Sequence, residues 1–218
     1  MIALTGTDLP LVAGIAAGLG DHGATVATIP AGALGSRADT EAAFAAVVAE
    51  HGPVAGVVHA AVDPTAYEPV PMAQVDDARF DVVWEQTMRR GLFVLQAAHT
   101  HLRDRGGGVV VITPVIGMAG AAEHAPYAAA LEGLRILAKS AARQWGADGI
   151  RVNVLAPAPE HVPVGVTSGE LALSPPALGG PGDARADLGP ITAWLLSDGA
   201  HFLTGATLAA DGGVWMAP

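Results

Sequence analysis

The stretch HAPYAAALEGLRILAKSAARQWGADGIRVNVLAPAP, residues 124–159, carries two periods in succession. From Tyr127, apolar residues recur at Leu131, Leu134, Ala138, Ala141 and Trp145, the spacing of one helix face. Beyond that helix, Arg151 to Ala156 reads as another strand. Helix followed by buried strand is half of a parallel crossover unit.

The same alternation extends outward in both directions. Met1 to Thr5 and Ala24 to Ile29 read as strands around a helix through Leu11, Ile15 and Leu19. Asp39 is the expected N-cap of a helix through Phe44, Val47 and Val48, followed by a strand from Val54 to His59. Pro64 to Asp76 is turn-rich, and Phe80 to Leu102 reads as one long helix stopped by Arg105-Gly-Gly-Gly108. Val109 to Thr113 is the next strand. A Gly-, Pro- and Ser-rich segment, 160–187, reads as a mobile loop over one end of the sheet. A helix through Ile191, Trp194 and Leu195 and a strand from Ala206 to Ala210 complete the chain. The pattern predicts one α/β domain, 1–218, with a doubly wound parallel sheet and helices on both faces.

Composition narrows the function classes. The 218 residues carry a formal net charge of −10 with only 11 Lys and Arg, which argues against a nucleic-acid partner. The absence of cysteine excludes disulfides, thiolate metal sites and a cysteine nucleophile. No membrane-spanning run and no basic leader are read, so a cytoplasmic location is expected. Eight histidines include His99 and His101, but two residues apart on a helix they face different ways, and no metal site is expected. Trp145, Trp194 and Trp215 are expected to pack in the core or an interface.

ITPVIG (112–117), Tyr127, RVNVLAPAP (151–159) and LTGATLAADGG (203–213), in this order, resemble the short-chain dehydrogenase/reductase family over essentially the whole chain. The resemblance implies a single Rossmann domain with NAD or NADP lying across the carboxyl ends of the strands. It also implies a tetrad of Asn, Ser, Tyr and Lys, in which the tyrosine moves the proton and the lysine, four residues on, stabilises its phenolate and holds the nicotinamide ribose.

Against that pattern the chain departs repeatedly. In the family's TGxxxGxG turn, Thr5-Gly6 is followed by Pro10 and Val12 at the second and third glycines, where any side chain intrudes on phosphate or packing space and Pro10 removes an amide. Only AGALGSRA (31–38) separates the second strand from the next helix, too little for the helix and third strand that wall the adenosine in the family. Tyr127 matches the tyrosine, but Leu131 stands for the lysine and Pro114 for the serine, with Thr113 as a weak substitute. Met88 falls near the asparagine position, and no asparagine lies within Glu85 to Arg90. The family's NNAG is His59-Ala60-Ala61-Val62, and its PGxxxT runs from Pro157-Ala158 to Val162. Without a neighbouring cation a phenol is a poor base at neutral pH.

Three readings remain. The first is a family homologue that has lost NAD(P)-dependent oxidoreductase activity and serves as a non-catalytic subunit or scaffold. Its partner would be a second copy or an active homologue, met through the helices carrying Leu92, Phe93, Leu95, Ala98 and Tyr127 to Trp145, or through the C-terminal DGGVWM. The second is a cofactor-independent acid/base enzyme or small-ligand binder using His59, Tyr127 and Glu160. The third is an NAD(P)-dependent oxidoreductase with an atypical site. The first expects no cofactor, and Gly6 is then only a remnant of the phosphate turn.

Overall fold

The computed structural model describes residues 1–61, 64–161, 167–171 and 173–216. Each continuous apolar run becomes a strand: β1 (Ile2–Gly6), β2 (Val26–Pro30), β3 (Gly56–Ala60), β4 (Gly107–Ile112), β5 (Ile150–Pro157) and β6 (Thr207–Ala210). They form one parallel sheet in the order β2-β1-β3-β4-β5-β6. The order reverses direction between β1 and β3, the switch point outside which such sheets bind ligands. Between β2 and the helix α2 (Arg37–His51) lies only a one-turn 3-10 segment, Ala31–Leu34, so β2 is the sheet edge and the expected shortening is present.

Helices α1 (Pro10–Asp21), α2, α3 (Asp77–Trp84), α4 (Arg90–Leu102), short α5 (Ile116–Ala119), α6 (Ala125–Trp145) and α7 (Gly189–Leu196) join the strands. Their inner faces and the sheet share one continuous core, in which Leu4, Ile15, Phe44, Leu102, Leu131 and Tyr127 are fully buried. Each large apolar side chain so buried stabilises the fold by about 1.5–3 kcal/mol. On α1, Gly14 and Gly18 admit the chain at 184–189 to near backbone contact. A methyl group on Gly18 would stand 2.6 Å from the Arg185 carbonyl oxygen and 2.7 Å from Gly189 Cα.

Two helix expectations are corrected. Ser36, not Asp39, caps α2: its hydroxyl oxygen accepts from the Asp39 amide at 3.1 Å and its O–H donates to the Asp39 carboxylate at 2.7 Å. Both residue types cap helices, but only Ser36 is extended, and Asp39 sits three residues inside. The helix expected over Phe80 to Leu102 begins at Asp77, capped by Asp76, and contains a π-helical turn, Glu85–Arg89, between α3 and α4. Of the expected loop, residues 162–166 and 172 lie outside the described residues, and its end, Ala184–Leu188, is a π-helical turn against α1.

At the amino end of the sheet, Arg151 is a cap for α7. Its guanidinium donates to the carbonyls of Leu195 (2.7 Å), Ala200 (3.1 Å), Leu196 (3.2 Å) and Ser197 (3.0 Å). The Leu195 and Leu196 carbonyls belong to the last turn of α7, where a helix end leaves acceptors without partners and a cation is a favoured donor, while the Ser197 and Ala200 carbonyls lie in the turn that follows and also accept the Ala200 and Leu203 amides. Asn153 then ties β5 to the approach of β6, donating to the Leu203 carbonyl at 2.9 Å and accepting from the Ala206 amide at 3.1 Å.

Candidate functional site

The carboxyl ends of β1, β3, β4 and β5 define the crevice where the sequence places its candidates. At the switch point, Gly6 is covered by α1: a methyl group there would meet Val12 Cγ2 at 2.9 Å and Ala60 Cβ at 3.2 Å. Leu11 and Val12 are buried, Pro10 opens α1 without an amide hydrogen, and the capping Leu9 contributes no side-chain bond. A phosphate binds a helix N-terminus through free amides and open space above a glycine. Here that space holds the Val12 side chain.

Tyr127 lies in the first turn of α6, wholly buried, and its hydroxyl donates to the Ala61 carbonyl at 2.8 Å. One turn on, Leu131 is also wholly buried; a methyl group on Gly117 would stand 2.9 Å from its Cβ. Leu131 therefore fills the volume between α5 and α6, and an ammonium there would lose its hydration. Thr113 and Pro114 are buried after β4, and the Thr113 amide is taken by the Leu155 carbonyl at 3.0 Å. Met88 points at α6, its sulfur 3.2 Å from where a methyl group on Gly133 would lie. Thr87, beside it in the π turn, is buried with its hydroxyl lacking a partner among the described residues.

His59 stands opposite Thr5 across β3 and β1, with its Nδ1 2.8 Å from the Thr5 hydroxyl, which donates to the Val58 carbonyl at 3.3 Å. Its Nε2 is buried without a partner among the described residues. Burial, and secondarily the positive charge of Arg90, pushes its pKa down to about 4, so the ring is neutral at neutral pH. Glu160 is engaged elsewhere: its carboxylate accepts from the Ser168 amide at 2.8 Å and, at short range, from the Ser168 hydroxyl. The three residues expected to share an acid/base site thus pair separately, with β1, a carbonyl after β3, and the 167–171 segment. Val62 and Val162 lie outside the described residues.

The sequence reading missed two side chains. Tyr67, in the turn-rich segment after β3, packs its ring 4.5 Å from that of Tyr127 and 5.9 Å from that of His124. Its hydroxyl is buried and makes no hydrogen bond among the described residues. Burial, reinforced by the adjoining Tyr127 phenol, holds its pKa well above the usual 10. His124 Nδ1 is likewise buried without a partner, and burial draws this pKa down, against the pull of Glu123. The available signal was scarcity, since Tyr67 and Tyr127 are the only tyrosines in the chain.

The C-terminal segment covers the far side of the crevice. Val115, Ala156, Ala158 and Val214 form a second apolar cluster, with Met118, Leu173 and Trp215 against it. Asp211 holds this turn by accepting from the Gly213 and Trp215 amides at 2.9 and 2.7 Å. Of the other tryptophans, Trp145 packs on the core edge beside His99, and Trp194 is 44% exposed. His99 pairs with Asp148 and His101 stacks on Phe44, two different neighbourhoods. Among the described residues no group of three or more ligating side chains converges on a metal site, and no helix is long and apolar enough to cross a membrane.

The side chains at the switch point, at Leu131 and along the sheet edge do not fit a nicotinamide dinucleotide held as the family holds it. The fold nevertheless is the family's. The chain superposes on the crystal structure of a 3-ketoacyl-(acyl-carrier-protein) reductase from Brucella melitensis complexed with NADH, with a TM-score of 0.85, 20% identity and 97% of each chain covered. It is 31% identical to an uncharacterized oxidoreductase of Mycobacterium tuberculosis over 97% of this chain and 83% of that protein. It is 33% identical to a short-chain dehydrogenase/reductase of Botryotinia fuckeliana over 126 residues, which span 53% of this chain and about half, 48%, of that relative. The family model described as enoyl-(acyl carrier protein) reductase matches residues 12–215. On this combined match the chain belongs to the short-chain dehydrogenase/reductase family.

Proposed function

We propose that this chain is a family member without the family's hydride transfer, acting as a non-catalytic subunit or scaffold in a homo-oligomer or beside an active homologue. The observation that carries the reading is Leu131. It occupies the cation's position fully buried against Gly117, while the hydroxyl of Tyr127 is spent on the Ala61 carbonyl. A buried phenol whose hydroxyl donates to a backbone carbonyl, with leucine rather than lysine one turn on, is a poor proton acceptor for hydride-transfer chemistry. The packed switch point and missing third strand are independent of Leu131 and support the same reading. The outer faces of α3, α4 and α6 would supply the contact between subunits: Phe80, Val82, Leu92 and Ile136 are between 37% and 49% exposed there.

An NAD(P)-dependent oxidoreductase with an atypical site is the competing reading. It is favoured by the relatives' names and by the NADH carried by the Brucella reductase. Titration of the purified protein with NADH and NADPH, read by fluorescence and thermal shift, separates the two, because a ligand of the native state raises its stability. No saturation up to about 1 mM, equivalent to binding weaker than about 4 kcal/mol, is the expected result. Saturable binding with a rise in melting temperature overturns the proposal.

A further inference from the structure

The chain carries 21 acidic side chains against 11 basic ones, so carboxylates are plentiful wherever a cation needs one. Arg79, Arg89, Arg103, Arg135 and Arg185 each lie within 4.0 Å of a carboxylate, and Arg151 is taken by carbonyls. Lys139, the only lysine in the chain, and Arg143 differ: through their side chains they make no ion pair or hydrogen bond among the described residues. They stand four residues apart on α6, one helical turn, where like charges face the same way and repel. Two adjacent cations left without a carboxylate are an arrangement that an anion from solution would stabilise.

The pair opens on a pocket of about 360 Å³, lined by Lys139, Ala142, Arg143, Thr204 and Gly205. One wall is α6 and the other is the turn that leads into β6. Both backbone groups of Val152 fix that turn: its carbonyl accepts from the Gly205 amide at 2.7 Å, and its amide donates to the Thr204 hydroxyl oxygen at 3.1 Å. Gly205 has φ of 74°, which glycine adopts without strain, and a methyl group there would stand 3.6 Å from Ala142 Cβ. Turn and helix therefore meet at the floor of the pocket, with the two cations on its helical side.

Thr204 adds a third donor. Its oxygen already accepts from Val152, and its own hydrogen has no acceptor among the described residues. Thr204 and Arg143 are exposed and Lys139 is half-buried, so a solute entering the pocket reaches all three. No carboxylate is among the lining residues, and every charge there is positive.

We infer that this pocket binds a phosphoryl dianion, free or carried on a small molecule, with Lys139 and Arg143 meeting its oxygens from α6 and the Thr204 hydroxyl donating from the turn. A tetrahedral group sends oxygens in several directions and can meet donors on two walls at once, whereas a planar monocarboxylate brings half the charge and two oxygens in one plane. The pocket lies beside Val152, near the start of β5, and the crevice lies beyond its end at Pro157. The site uses neither Leu131 nor the switch point, so it stands whether or not the chain binds a nicotinamide.

The test is calorimetric titration of the full chain with inorganic phosphate, phenyl phosphate and acetate, at about 50 mM ionic strength, where screening is weak. Phosphate should saturate with a Kd below about 5 mM, and acetate should bind at least about tenfold more weakly. Tighter binding of phenyl phosphate than of inorganic phosphate assigns the pocket to an ester, and equal binding assigns it to the free ion. Lys139→Gln and Arg143→Gln, both on the helix surface, should each weaken phosphate by about five- to tenfold, and Thr204→Ala by about threefold. Arg37→Gln removes the same charge from an exposed position outside the pocket and should leave the Kd within about twofold. No saturation by phosphate up to about 20 mM, acetate binding as tightly as phosphate, or equal losses from Arg37→Gln and Lys139→Gln overturns the inference. Lys139→Gln should leave the nicotinamide titration unchanged, so failure of one proposal does not imply failure of the other.

Discussion

Arg151 and Asn153 near the amino end of the sheet differ from the candidate site residues near its carboxyl end in how their polar atoms are satisfied. At the amino end, Arg151 and Asn153 are bonded through their polar groups to named backbone atoms: four carbonyls for the guanidinium, a carbonyl and an amide for the side-chain amide. At the carboxyl end, His59, Tyr67, His124 and Glu160 each keep a buried atom with no partner among the described residues, while Val12 and Leu131 fill places where the family sets a glycine and a lysine. Groups that hold the fold together have kept their partners; the family's chemical positions have been given to the core. A fold can persist through such a change because its stability comes from packing and satisfied backbone, whereas its chemistry needs a few charges that the core does not.

The largest test of that contrast is Leu131→Lys. If the position is core, the substitution buries an ammonium without a partner and should lower unfolding stability by roughly 3–5 kcal/mol in urea, with no gain of NADH oxidation. Undiminished stability together with reductase activity would mean that the crevice still accepts the family's cation, and the contrast between the two ends would fail.

Histidine 59 tests the same end by pH. Its folded pKa of about 4 lies below the 6.5 of the unfolded chain, because burial and then Arg90 disfavour the charged ring. The unfolded state therefore binds the extra proton first, and stability present above pH 6.5 is lost as pH falls toward 4. The full loss is about 3 kcal/mol. Urea unfolding of the wild type and His59→Asn at several pH values in that window should show the wild type losing more than the variant on acidification. Parallel losses would place the ring in water.

At the amino end, Arg151→Met keeps much of the stem and removes the donors from four carbonyls. It should cost about 2 kcal/mol, less than the sum of the bonds because several of those carbonyls can turn to water. Hydrogen exchange should rise first in α7, whose last turn loses its cap.

The sheet was legible because parallel strands buried on both faces read as continuous apolar runs, and all six fall within a few residues of their expected limits. The deletion after β2 was legible as simple length. The π turn at Glu85–Arg89 was not, since widening one turn leaves the polar and apolar order of Phe80 to Leu102 unchanged. Nor was Ser36, because Asp39 caps as well in isolation. At the site, identity was readable and partnership was not. Tyr127 and Leu131 could be placed on one helix face, yet the contact between Tyr67 and Tyr127 spans sixty residues of chain and follows no period. His59, Tyr127 and Glu160 could be assigned to one end of the sheet, but which atoms each would find there is a property of packing.

The smallest expected effect is the most discriminating for Tyr127. Its hydroxyl donates to Ala61 as a structural group would, so Tyr127→Phe should cost about 1 kcal/mol, the net worth of one hydrogen bond plus a carbonyl left dry, and leave the association state the same as the wild type's. Size-exclusion chromatography with light scattering and urea unfolding measure both. A change in subunit assembly would assign the ring to an interface rather than to the crevice. A loss of some enzymatic turnover, with stability altered by no more than that single bond, would mean that the phenol reaches its proton partner without a cation at position 131, and the proposal of a chain without hydride transfer would fail.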